Sequence, residues 1–106
     1  MHNDELDKAI KSAALLIEQG NLKMAGRTLS PLLPHIGNDQ RALIIAALDP
    51  SIQTLFKKAY MLKPYEPGRS KEILQGIVES GLEILPNYWK ARKVLDGERS
   101  TKTGNR

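Results

Sequence analysis

The chain contains no cysteine. Disulfides, thiol nucleophiles and sulfur-ligated zinc sites are therefore excluded, and the composition fits a reducing compartment. Histidine is scarce too. His2 and His35 lie far apart, so they cannot form the helical pair that binds a metal at i, i+4 spacing. No glycine-rich phosphate loop and no nucleophile–base set stands out. From this we expect no cofactor, no bound metal and no enzymatic activity. Long apolar runs are also missing. The longest, Ala42–Leu48, falls far short of the roughly 20 residues that span a bilayer. The N-terminus, Met1-His2-Asn3-Asp4-Glu5, lacks the basic segment and apolar core of a secretory signal. These features predict a cytoplasmic protein without membrane contact.

What is present is aliphatic and charged. Hydrophobic residues make up 41% and charged residues 26% of 106 residues, enough for one folded domain and too apolar for general disorder. The net charge of +4 is uneven: residues 1–56 sum to −1 and residues 57–106 to +5. A basic half of this kind implies either a well-solvated surface or an acidic partner, protein or nucleic acid.

Spacing of the apolar residues predicts an all-α fold, an antiparallel array of five or six short helices. The first runs from Asp4 to Gln19, with Asn3 as cap and Leu6, Ile10, Ala13, Ala14 and Ile17 on one face. Gly20 ends it in the left-handed conformation. Asn21 then caps a second helix carrying Leu22, Ala25 and Leu29, which Pro31 and Pro34 terminate. Gly26, beside Ala25, lets the backbones approach closely. Asn38 or Asp39 caps a third helix through Ala42–Leu48, apolar nearly all round and so expected in the middle of the domain. Asp49-Pro50 is a restart signal, and a fourth helix carries Ile52, Leu55, Phe56, Ala59 and Met61 or Leu62. Two separate helices and one helix bent at Pro50 are both compatible with the pattern.

Residues 63–69 read as a loop, since two prolines and a glycine fall within it. A fifth helix runs from Ser70 through Ile73, Leu74, Ile77, Val78 and Gly81 to Leu85, where Pro86 ends it. A sixth covers Tyr88 to Asp96 and stops at Gly97. Residues 1–97 thus form the domain. Residues 98–106 have no apolar side chain and read as a disordered basic tail.

Two stretches resemble the tetratricopeptide repeat. In Leu16-Ile17-Glu18-Gln19-Gly20-Asn21-Leu22-Lys23-Met24-Ala25, Leu22 and Ala25 sit at the offsets from Gly20 that mark the inner turn of such a repeat. Gly81-Leu82-Glu83-Ile84-Leu85-Pro86-Asn87-Tyr88-Trp89-Lys90-Ala91 is similar to the junction between two repeats. The resemblance covers about half the chain, without a clean period of about 34 residues. It implies stacked helical hairpins that bind a partner in a groove; an irregular helical bundle is the alternative.

Few residues carry chemistry. Glu79 and Glu83, one turn apart on the fifth helix, read as a solvated pair. Gly68-Arg69-Ser70 reads as a turn and helix start. Tyr88 and Trp89 cannot both face inward, so one is expected to pack and the other to face outward or cover the Pro86 bend. With Lys90, Arg92 and Lys93 they form the candidate partner-binding group, a bulky anchor beside cations. We expect an interaction module: an adaptor, small chaperone or assembly subunit. Its partner would be another, acidic protein or a second copy of the chain. The alternative is a nucleic-acid-associated protein using Lys90, Arg92, Lys93, Arg99, Lys102 and Arg106. A contiguous exposed patch is expected among Leu15, Met24, Leu43, Ile45, Leu82, Ile84 and one of Tyr88 or Trp89.

Overall fold

The periodic stripes fold as helices and bury the faces they define. The computed structural model describes residues 3–104, and side chains from 4 to 97. Five α-helices follow one another: α1 Asn3–Glu18, α2 Leu22–Leu29, α3 Asn38–Leu62, α4 Pro67–Glu79 and α5 Pro86–Gly104. A short 3₁₀ turn, Leu33–His35, precedes α3. Among the described residues there is no strand, and the molecule is an all-α helical bundle.

The first hairpin forms as its sequence dictates. Leu6, Ala13 and Ile17 on α1 are buried, with Ile10 and Ala14 packed beside them. Gly20 takes φ +81° and reverses the chain. Leu22, Ala25 and Leu29 close the core from α2. Asn21 occupies the position before α2, but its side chain makes no capping bond. Gly26 lies against the backbone of Ser80, at the end of α4; an added Cβ would stand 1.7 Å from the Ser80 carbonyl oxygen. The close approach expected at Gly26 is thus a crossing of α2 with the end of α4, beyond the α1–α2 hairpin itself.

Of the two arrangements open for the central segment, the structure takes the single helix. One continuous helix, α3, spans 25 residues with Pro50 inside it. Proline removes the bond to the Ala46 carbonyl, which normally costs about 3 kcal/mol or more. Here Pro50 and Ala46 are both exposed, so water can serve that carbonyl. Gly37 precedes the helix in place of Asn38 or Asp39, and its N–H donates to Gln40 Oε1 at 3.1 Å. Asp49 is not a cap for a new helix. It reaches across to α5, where the Asn87 N–H and Nδ2 donate to its carboxylate at 3.0 and 2.7 Å. That bond satisfies one of the orphan donors in the first turn of α5.

Three further boundaries differ. α4 starts at Pro67, not Ser70, because proline fits the first helical turn, where its missing N–H is not needed. Ser70 is buried and donates to the Ala59 carbonyl at 2.6 Å, pinning α4 to α3. α4 ends at Glu79, since Gly81 adopts φ +69°; Leu82 and Leu85 reach the core from the connecting turn. Pro86 opens α5 and does not end α4. Gly97 keeps a negative φ, so the α5 backbone continues to Gly104, where a disordered tail was expected. A helical glycine costs only about 0.5–1 kcal/mol and is no stop unless it turns left-handed. Residues 105 and 106 of that expected tail lie outside the described residues.

The helices stack in a layered order. α1 packs on α2 and α3; α4 packs on α3, α5 and α2. The result is elongated, 52 × 25 × 18 Å, with α3 shared between the two hairpin-like ends.

Candidate partner-binding surface

The α5 group divides by helical phase. Tyr88 and Ala91 face inward and are buried, with Val94 and Leu95 half-buried beside them. Tyr88 is 2% exposed, so it packs, while Trp89 is 51% exposed and faces outward. The two rings meet edge-on, 5.0 Å apart at 84°. Trp89 Nε1 donates to the Glu83 carbonyl at 2.7 Å, so its ring lies over the bend that precedes Pro86. Arg92 donates to Tyr88 Oη at 3.2 Å and lies 3.7 Å from Asp96. That hydrogen bond to Tyr88, and then the charges of Tyr88 and Asp96, raise its pKa above the usual value. Lys90 and Lys93 are exposed on the outer side of α5. The side chains of Arg99, Lys102 and Arg106 lie outside the described residues.

Other sequence candidates separate. Glu79 closes α4 and Glu83 lies in the next turn, so they do not share a helical face as expected. Ser70 is committed to α3, and its N–H donates to the Glu66 carbonyl at 3.0 Å. His35 is exposed in the 3₁₀ turn; His2 lies outside the described residues. Among the described residues no three His, Asp or Glu side chains converge as metal ligands.

The outer face of α3 is the feature the sequence did not locate. Ile44, Leu48, Ile52 and Ala59 point to the core. Opposite them, Leu43, Ala47, Pro50, Thr54, Lys57 and Met61 follow at alternating spacings of four and three, one continuous exposed stripe. Ala42, Ala46 and Tyr60 widen it. The segment Ala42–Leu48 was expected in the interior, but only Ile44 and Leu48 are fully buried. A helix that is apolar all round has one apolar side left over when it meets neighbours on only one flank.

Exposure is greatest at the C-terminal end. Tyr60 is 70% exposed, Met61 72% and Tyr65 83%. Phe56, expected in the core, is only half-buried. Phe56, Tyr60, Met61 and the aliphatic stem of Lys57 line an open apolar concavity of about 470 Å³. Of the residues expected in an exposed patch, Leu15, Met24, Leu43 and Trp89 are exposed, Leu82 is buried, and Ile45 and Ile84 are half-buried. Tyr60 and Tyr65 were missed, and Met61, offered with Leu62 as a core position, faces outward while Leu62 is half-buried. For Met61 the spacing carried the signal, since 43, 47, 50, 54, 57 and 61 share a phase once Pro50 is read as mid-helix; Tyr60 lies beside that phase and Tyr65 follows the end of α3.

Comparison of the chain with known protein families, curated proteins and solved structures finds no match. Among the described residues, no helix is long and apolar enough to cross a membrane.

Proposed function

We propose that the protein is a non-catalytic interaction module that binds another protein through the outer face of α3. The observation that carries this reading is the exposed face from Leu43 to Met61, five turns long, apolar at Leu43, Ala47 and Pro50 and again at Tyr60 and Met61, with Thr54 and Lys57 between, and backed by a buried inner face. Exposed apolar surface rimmed by polar residues marks contact sites. The α1–α2 hairpin, with its Gly20, Leu22 and Ala25 pattern, supports a tetratricopeptide-like relationship; the 25-residue α3 departs from the paired short helices of such repeats.

The test is photo-crosslinking in the cell that makes the protein, with a photoreactive residue at Leu43, Met61 or, as an off-face control, Lys23. A discrete adduct from Leu43 and Met61, absent from Lys23 and abolished by Ala47→Glu, is the expected result. Equal adducts from all three positions would overturn the assignment of this face.

A second reading rests on Lys90 and Lys93, exposed beside the half-exposed Trp89. Phosphate binding there would weaken steeply with salt. A gel shift at low salt that disappears when Lys90, Arg92 and Lys93 are neutralised together would favour it; no shift at micromolar protein would remove it.

A further inference from the structure

The outer face of α3 is chemically graded along its length. Its N-terminal half carries small and aliphatic side chains: Ala42, Leu43, Ala46, Ala47 and Pro50. Its C-terminal half carries Tyr60, Met61 and the concavity they form with Phe56, bordered by exposed Lys57 and Lys58. From Pro50 to Tyr65 the chain holds three lysines and no carboxylate. Asp49, the nearest acid on α3, is engaged with Asn87.

We propose that this face receives an amphipathic helix of a partner protein, about five turns long, whose apolar stripe lies along α3 and whose carboxylates sit at the end facing Lys57 and Lys58. The inference rests on the reading of α3 as a protein-binding face and adds the partner's shape, charge and direction. The length follows from the distance between Leu43 and Met61, about 27 Å at 1.5 Å per residue. Alanines at 42, 46 and 47 let a second helix backbone come close, and the concavity at Phe56, Tyr60 and Met61 takes one large apolar anchor. Charge selects the occupant. A second copy of this chain, itself at +4, would bring to Lys57 and Lys58 either its own two lysines, if parallel, or the single carboxylate of Asp39, if antiparallel. An acidic helix would be steered in and held.

The test uses the full chain and three fluorescein-labelled synthetic peptides of about 18 residues. One has leucines at i, i+3, i+4 and i+7 and glutamates elsewhere. The second replaces every glutamate with lysine; the third scrambles the first. The acidic amphipathic peptide should bind by fluorescence anisotropy, and the other two at least about tenfold more weakly. Raising salt from low to physiological strength should weaken binding several-fold, by screening of exposed charge. Tyr60→Ser with Met61→Ser should weaken it about tenfold or more, as loss of an anchor does. Lys57→Glu with Lys58→Glu should do the same and should also erase the salt dependence. All four side chains are exposed, so circular dichroism melts of the variants should match wild type. Equal binding of the scrambled peptide would reduce the effect to charge alone and overturn the proposal. So would a chain that dimerises through this face, or a duplex oligonucleotide that binds through Lys57 and Lys58 independently of Tyr60 and Met61. Loss of peptide binding while the Leu43 crosslink persists would discard the acidic helix and keep the protein-binding face. Loss of both would discard both.

Discussion

Gly26 shows how one missing methyl group sets an architecture. Its Cα hydrogen faces the Ser80 carbonyl at a distance no Cβ could share, so α2 and the end of α4 cross only because this residue is glycine. Gly26→Ala should destabilise the fold by about 1–3 kcal/mol, since the obstacle is backbone and cannot rotate away. Gly97→Ala, also within a helix, is the matched control: nothing lies within 4 Å of its added Cβ. Urea midpoints compared across the pair measure the difference, and equal midpoints would show that α2 and α4 do not cross so closely. Asp49 offers a second test. Asp49→Ala strips the acceptor from the backbone and side-chain donors of Asn87, whose Oδ1 is already buried without a hydrogen-bond partner. The expected loss is about 1–3 kcal/mol, read from the same denaturation curves.

At the scale of elements, the sequence announced helices better than it announced their ends. Leu6, Ala13 and Ile17 recur at helical spacing, and each is buried where that spacing placed it. Gly20 was legible for the same reason: a short reversal between two stripes needs the left-handed conformation. Pro67 and Gly97 were misread, and Pro50 was left open between two arrangements, because each is a stop only in certain surroundings. Whether Pro50 breaks a helix depends on whether its orphaned carbonyl faces water, which is a tertiary fact. Whether a glycine stops a helix depends on its φ: Gly81 turns left-handed and Gly97 does not. The exposed outer face of α3 was not located in the sequence, because counting spare apolar residues does not say which helix lacks a neighbour. Trp89 facing outward was within reach of helical phase alone. Pro50→Ala should restore the bond to the Ala46 carbonyl and stabilise the protein by about 1–3 kcal/mol, the proline's restriction of the unfolded chain offsetting part of the gain. A lowered melting temperature would mean that the proline ring packs usefully against something. Truncation after Gly97 removes no residue of the apolar face formed by Tyr88, Ala91, Val94 and Leu95. It should leave the melting temperature unchanged within about two degrees, a shift worth less than about 0.5 kcal/mol for a chain of this size.

For the whole molecule, α3 is both spine and surface. One side is covered by α1, α4 and α5, and the other presents Leu43 to Met61 to solvent. Leu43→Glu combined with Met61→Glu should alter stability by no more than about 0.5 kcal/mol, as exposed substitutions do, while abolishing any partner crosslink at this face. A large drop in the denaturation midpoint would place these side chains in the core. The outer face of α3 can therefore be altered without altering the core.

The α2–α4 crossing also bears on the order in which the chain assembles. Most helix contacts join neighbours in sequence, and chains with such local topology fold quickly, in microseconds to milliseconds. The meeting of Gly26 with Ser80 is different, because it joins the first hairpin to the end of α4, far along the chain. If it closes last, it is absent from the rate-limiting state. Damage there would leave the folding rate nearly intact and appear as faster unfolding. In a chevron plot Gly26→Ala would then lift the unfolding arm alone, and the native lifetime of the protein would be set by one glycine facing one carbonyl.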